Sequence, residues 1–354
     1  MDKSLEQRLS GYEPLWNEWY VDSFMWEDEL GEMFSLKDKN GRKSAVRVLT
    51  VDSIACGRPL AELTAAALKR INDRLPLAGE AFLVSVRNFT VKNIENVGGP
   101  PVAADILVQT DEYRPLELDG QMPYVTARKL ADNICRGIRT AHRKGFTFGD
   151  ICPKNIRVDS EGHFCLDAPC TYLPDRADPT YAAPETTGKD YDPYKADIYS
   201  YGIMMYQLFN GGMLPHQDRD TYPEDAVKTR FDGIAFDPPA GAPHDLQSFI
   251  MQCCFAHPES RYASMDEAYR VLSQIPVDSV PRQYEECYVP HEKRLNKREV
   301  PRREQKNELP AAQQESAPTV EIESRGMRIY VILLLYLLLA AGGAFLIYSA
   351  FFMK

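Results

Sequence analysis

The pattern of hydrophobic and polar positions divides the chain into a strand-rich first third, a helix-rich middle and an apolar end. Three β-branched or alternating runs predict strands, at 44–50, 82–91 and 102–108. Apolar residues at helical spacing, or long apolar stretches, predict helices at 60–75, 124–145, 197–210, 245–256 and 265–275. Strands followed by helices indicate an α+β chain with two lobes.

The last apolar run, 329–353, contains 25 residues without a charge. A helix of that length is sufficient to cross a hydrocarbon core of about 30 Å, so we expect one C-terminal transmembrane helix. Arg325 and Arg328 precede the run, and the first residues lack an apolar signal-peptide core. We therefore expect a single-pass C-terminal membrane anchor with residues 1–328 in the cytoplasm. The spacing of Ala340 and Ala344 favours a homodimer through this helix.

The charges add two observations to this picture. The chain has 354 residues and a net charge of −10, which argues against a general nucleic-acid binder. The segment 279–328 lacks apolar periodicity, and its part at 293–306 carries seven basic and two acidic side chains. We interpret 279–328 as a charged flexible linker, either simply solvated or attracted to anionic lipid headgroups.

Six short motifs follow one another from residue 142 onward. In order, they are HRKG at 142–145, FGDICPKN at 148–155, LDAP at 166–169, APE at 183–185, DIYSYG at 197–202 and HPESR at 257–261. Their order and spacing closely resemble those of the protein kinase family. The resemblance implies a two-lobed kinase-like domain at 18–278, after an N-terminal extension at 1–17. Its small strand-rich N-lobe would cover about 18–110 and its helical C-lobe about 111–278.

The resemblance also implies chemistry at named positions. Asp150 matches the catalytic residue that accepts the proton of a substrate hydroxyl, and Asn155 and Asp167 match the magnesium ligands. ATP and magnesium are the implied cofactors, and a protein is the implied substrate or partner. A purely structural interpretation, in which Asp150 and Asn155 brace a turn, stays open. The other implied positions are Arg47, Glu62 and Gln109 for cofactor binding, and Glu185, Asp197 and Arg261 for structure.

Several positions depart from the family pattern. The region of the expected phosphate loop contains a single glycine, Gly31, among acidic residues. Arg47 stands where the family has a strand lysine, and its planar fork is not equivalent. Gly149 and Cys152 replace two further cations of the catalytic loop, and Ala168 follows Asp167 in place of an aromatic residue.

These losses favour a pseudokinase, a kinase-like fold that acts as a binding or signalling module, with nucleotide binding left open. The first alternative is an active Ser/Thr-type kinase that transfers the ATP γ-phosphate to a protein, supported by the retained Asp150, Asn155 and Asp167. The second alternative is nucleotidyl transfer on a kinase-like fold.

Overall fold

The computed structural model shows a strand-rich part followed by a helical part, which confirms the two-part α+β organisation. It describes residues 4–28, 31–96, 98–118, 122–168, 179–218 and 220–277. The predicted linker and the predicted membrane helix lie outside these ranges, and both stay predictions. Within the ranges described, no helix combines the length and the apolar character needed to cross a membrane.

The strand-rich part is a five-stranded antiparallel sheet with the order β1-β2-β3-β5-β4. Its strands are β1 (Trp19–Asp28), β2 (Gly31–Asp38), β3 (Lys43–Asp52), β4 (Val86–Ile94) and β5 (Ala103–Thr110). Between β3 and β4 lie a short helix, α2 (Ser53–Cys56), and a longer one, α3 (Leu60–Arg74). Leu63, Ala67 and Ile71 recur at helical spacing on α3, and they form one core with the apolar residues of β3, β4 and β5.

The opposite face of this sheet is covered by the N-terminal segment. Helix α1 (Leu5–Tyr12) begins at Ser4, whose hydroxyl accepts a hydrogen bond from the Gln7 backbone N–H in a capping box. Leu9 is buried against the sheet together with Leu15 and Trp19. The predicted N-terminal extension therefore contributes Leu9 and Leu15 to the apolar core on this face of the sheet.

An ion pair fixes α1 to the sheet. Arg8 donates from Nε and Nη2 to the Asp105 carboxylate at 2.7 and 2.9 Å, and the Tyr12 hydroxyl donates to the same group at 3.0 Å. Asp105 has no exposed surface. Burial, reinforced by the Asp105 charge, raises the pKa of Tyr12 to about 12.

The helical part is built around α4 (Tyr124–Arg143) and α5 (Pro193–Phe209), whose residues contribute to one large apolar core. Asp192 caps α5, which is why this helix begins four residues before the predicted start. The described residues further contain α6 (Pro223–Phe231), α7 (His244–Cys253) and α8 (Met265–Leu272). A three-stranded sheet of β6 (Arg114–Pro115), β7 (Ile156–Val158) and β8 (Phe164–Leu166) lies in this part of the chain, after β5.

Two glycines on helices of this part allow a close approach of another segment. A Cβ on Gly202 of α5 would lie 2.6 Å from the Cβ of Cys253 in α7. A Cβ on Gly137 of α4 would lie 2.7 Å from the carbonyl oxygen of Phe82. Phe82 itself has a positive φ of 65°, which is not a strand conformation. Strand β4 therefore begins at Val86, later than the predicted start at residue 82.

Candidate functional site

The predicted catalytic loop lies between α4 and β7, and hydrogen bonds to the Asp197 side chain of α5 hold it in place. The Asp197 carboxylate accepts hydrogen bonds from the backbone N–H groups of Phe148 and Gly149, both at 2.8 Å. His142 Nε2 lies 3.0 Å from the same carboxylate. Gly149 has a φ of 73°, a conformation that glycine adopts without strain. Asp197 therefore braces the loop, as the resemblance implied.

The loop brings three predicted residues together. The Asn155 side-chain amide donates to the Asp150 carbonyl at 2.8 Å and to its carboxylate at 3.2 Å. The backbone N–H of Asp167 donates to the Asn155 carbonyl at 2.8 Å. Asp150 and Asn155 of the loop and Asp167, which follows β8, thus form one connected group.

Glu185 and Arg261 form a bidentate ion pair with distances of 2.5 and 2.8 Å. The Arg261 side chain is fully buried, and it also donates to three backbone carbonyls. Such a pair fixes the segment around Glu185 against the end of the domain. It belongs to the scaffold of the site, since neither residue touches Asp150 or Asp167.

Asp167 lies among three arginines. Its Oδ1 accepts from Arg74 at 2.8 Å and from the Ala168 backbone N–H at 2.9 Å. Its Oδ2 lies 3.1 Å from Arg47 Nη2 and 3.7 Å from Arg157 Nε. Burial alone would raise the pKa of this carboxyl, but the three guanidinium charges outweigh it and hold the pKa below its ordinary value. Asp167 is therefore an ionised, buried counter-ion.

Arg47 lies on β3 and reaches two carboxylates. Besides Asp167, it pairs with Asp28 of β1 at 3.3 Å. Asp28 in turn pairs with Arg157 of β7 at 2.5 Å, so one carboxylate joins the two sheets. Burial lowers the pKa of Arg157, the Arg47 charge acts in the same direction, and Asp167 and Asp28 oppose them.

Glu62 and Gln109 do not join this group. Glu62 lies on α3 with its side chain half exposed, and it pairs with Arg58. The Gln109 amide bonds within the sheet, where it donates to the Ser44 hydroxyl at 3.0 Å and accepts from Asn88 at 2.7 Å. Two arginines of α3 reach the site instead of the expected acid: Arg74 pairs with Asp167, and Arg70 donates to the backbone carbonyls of Thr147 and Phe148 in the predicted catalytic loop.

Five contributors were missed by sequence reasoning, namely Trp26, Asp28, Arg70, Arg74 and Arg157. None of them carried a clear signal. Arg157 stands between Ile156 and Val158, and this alternation of apolar and charged residues is typical of a strand with one exposed face.

The residues present do not fit a magnesium–nucleotide complex. Both oxygens of Asp167 are taken by cationic groups, which would repel Mg²⁺, a cation that prefers free carboxylate oxygens. The cavity beside Asp167, lined in part by Met33, Val108 and Tyr113, has a volume of about 10 Å³. That volume is about the room that one water molecule needs. Nowhere in the described ranges do three or more metal-ligating side chains form a group suited to a metal ion.

Comparison with known proteins agrees with the motif order. Residues 107–271 match the family model for the protein kinase domain. The chain is 28% identical over 154 residues to CBL-interacting serine/threonine-protein kinase 8 of Arabidopsis thaliana, covering 40% of this chain and 34% of that protein. It is 26% identical over 184 residues to serine/threonine-protein kinase 12 of the same plant, covering 45% and 38%.

A third relative is the tyrosine-protein kinase-like protein otk of Drosophila willistoni, with 27% identity over 158 residues, 39% of this chain and 14% of that protein. The matches thus span little more than a third of these relatives at most. The family match covers the helical part and the end of the five-stranded sheet. Together with the motif order, these matches show that residues 107–271 are similar to the protein kinase domain.

Proposed function

We propose that this protein is a pseudokinase, a kinase-like domain that binds a protein partner or transmits a signal without transferring phosphate. The observation that carries the proposal is the buried ion pairing of Asp167 with Arg47 and Arg74. Asp167 is the position from which a kinase would hold magnesium. Here two monovalent cations of the chain itself neutralise it.

The energetic argument concerns what a nucleotide would have to displace. Phosphoryl transfer depends on positioning and on charge neutralisation by the metal. For magnesium to reach Asp167, the carboxylate would have to leave buried arginine partners. Breaking such a pair leaves an uncompensated buried charge and costs about 3–5 kcal/mol. Nucleotide binding would have to supply that energy before any chemistry could begin.

A second candidate function is active Ser/Thr-type phosphorylation, and one observation favours it. Asp150 and Asn155 keep a compact arrangement on a braced loop, with a distance of 3.2 Å between the amide and the carboxylate. In this hypothesis Asp150 accepts the proton of a substrate hydroxyl, and a rearranged Asp167 binds the metal. Nucleotidyl transfer needs the same rearrangement.

The test uses the full-length protein with ATP and either magnesium or manganese. We expect no change in melting temperature and no labelling of the protein or of a generic substrate. Phosphate incorporation that Asp150→Ala abolishes would overturn the pseudokinase proposal and establish the kinase. Mass spectrometry separates the two alternatives, because a nucleotidyl adduct is heavier than a phosphate adduct.

The location of the protein is a separate part of the proposal. The uncharged run 329–353 supports anchoring in a membrane, with the kinase-like domain on the cytoplasmic side and the charged segment 279–328 between them. The protein should stay with membranes during alkaline extraction. In sealed vesicles whose cytoplasmic face points outward, added protease should digest the kinase-like domain. Release by alkali would contradict the anchor. Crosslinking with and without Ala340→Leu would test pairing of two anchors.

A further inference from the structure

We infer that the indole of Trp26 fills the space between the five-stranded and the three-stranded sheet. Removal of this side chain opens a binding site for a flat aromatic molecule with an N–H donor. The inference rests on the proposed function, because it takes the space between the two sheets to hold this side chain and not a nucleotide. Trp26 lies on β1 of the five-stranded sheet. It contacts Arg157 on β7 of the three-stranded sheet, so its ring joins the two sheets.

The direction of Trp26 is set by a β-bulge. In the β1–β2 pairing, Phe24 lies opposite Phe34 and Trp26 lies opposite Met33, so the bulged strand contains an extra residue at this point. Phe34 and Met33 are neighbours on β2 and point to opposite faces. The bulge therefore directs Phe24 and Trp26 to opposite faces, although regular alternation would place them on the same one.

Cross-strand register places Trp26 on the functional face of the sheet. Met33 lies opposite Arg47, and Arg47 lies opposite Val108, so the four residues form one row. Met33, Arg47 and Val108 also line the small cavity beside Asp167. The other face of the sheet is the one covered by α1. Without the bulge, Trp26 would point to the α1 side, and the space between the two sheets would lack its ring.

The contacts of the ring resemble those that a bound ligand would make. Trp26 Nε1 donates to the Tyr113 carbonyl at 3.2 Å. The guanidinium groups of Arg157 and Arg47 lie 4.8 and 5.2 Å from the ring centre. Cation–π contacts at such distances favour an electron-rich ring. Asp28, two residues further along β1, pairs with both arginines. The ring is half-buried, and its polar edge is satisfied.

These contacts define the class of molecule that would replace the side chain. Truncation of Trp26 leaves a flat space bordered by two cations and a carbonyl acceptor. A neutral planar aromatic with one N–H group, such as indole, meets all three features. An aromatic cation would be repelled by the arginines, and an isosteric ring without N–H, such as indene, would leave the Tyr113 carbonyl without its donor.

The test measures the melting temperature and indole binding of the full-length protein, Trp26→Ala and Trp26→Phe. We expect Trp26→Ala to melt at a lower temperature and saturable indole binding to restore much of the loss. Indene should bind about two- to tenfold more weakly, the factor for one net neutral hydrogen bond. Trp26→Phe should be less stable than the wild type and should not bind indole. Phe24→Ala is the matched control, because Phe24 lies on the same strand, on the other face.

Several outcomes would overturn the inference. They are a Trp26→Ala protein as stable as the wild type, an equal response of Phe24→Ala to indole, and equal binding of indole and indene. Folding of Trp26→Ala only in the presence of indole would support the inference. The inference fails if Trp26→Ala folds neither with nor without indole while Trp26→Phe is as stable as the wild type. Phosphoryl transfer by the wild-type protein would refute the proposed function instead, and that assay does not involve indole.

Discussion

Replacing Asp167 by asparagine removes the carboxylate that lies among three buried arginines while keeping the shape of the side chain. Asp167, Arg74 and Arg157 expose 5%, 5% and 3% of their side chains, and Arg47 exposes 7%. At such burial the loss of Asp167 leaves more guanidinium charge than the Asp28 carboxylate can offset, which costs about 3–5 kcal/mol. We expect Asp167→Asn to lower the free energy of unfolding by that amount, a large fraction of the roughly 5–15 kcal/mol of a typical protein.

The assay is urea denaturation of the full-length protein, followed by far-UV circular dichroism. Asp266→Asn is the matched control, because Asp266 makes the same kind of pair with Arg143 at the surface, where both side chains are about half exposed. An exposed pair contributes less than about 1 kcal/mol. If Asp167→Asn costs no more than Asp266→Asn, the carboxylate is not a structural counter-ion, and the central argument for a pseudokinase is refuted.

Three further predictions concern acid stability and packing. Because the pKa of Asp167 lies below its ordinary value, its contribution to stability is present above about pH 4 and is lost as the pH falls further toward the folded-state pKa. The difference in unfolding free energy between wild type and Asp167→Asn should therefore shrink in acid, and a constant difference would contradict the ion pairing. Leu9→Ala should cost about 2–5 kcal/mol in urea denaturation, because Leu9 is buried between α1 and the sheet. Gly202→Ala should lower the melting temperature clearly, because the added Cβ meets the Cβ of Cys253 at 2.6 Å; an unchanged melting temperature would mean that α5 and α7 pack less closely.

The sequence predicted two kinds of feature. Local apolar patterns found α3, α4, α7 and α8, which depend on side chains at fixed distances along the chain. The resemblance to the protein kinase motifs implied the shared loop of Asp150 and Asn155 and the pairing of Glu185 with Arg261, which lie 76 positions apart. The same reasoning missed α1, because a short helix before the first strand shows no sign of which surface will bury it.

The charged cluster could not be predicted for a different reason. Arg74 and Arg157 look like ordinary surface residues until the tertiary structure buries them beside Asp167. The stretch that contains Trp26 and Asp28 has acids and a single nearby glycine, so it was interpreted as a poor phosphate loop rather than as a strand. A β-bulge, which alternation cannot reveal, then decides the face to which Trp26 points.

The contact between α1 and Asp105 has a practical consequence for producing the domain. A fragment that starts at residue 18, where the family resemblance begins, would keep the Thr50 hydroxyl beside the Asp105 carboxylate but lose the Arg8 guanidinium. It would also uncover the apolar face formed by Phe34, Val46 and Leu107. Such a fragment would tend to aggregate through this face. A piece suited to expression therefore begins no later than Ser4, the cap of α1, and a failed shorter fragment would say nothing about the activity of the protein.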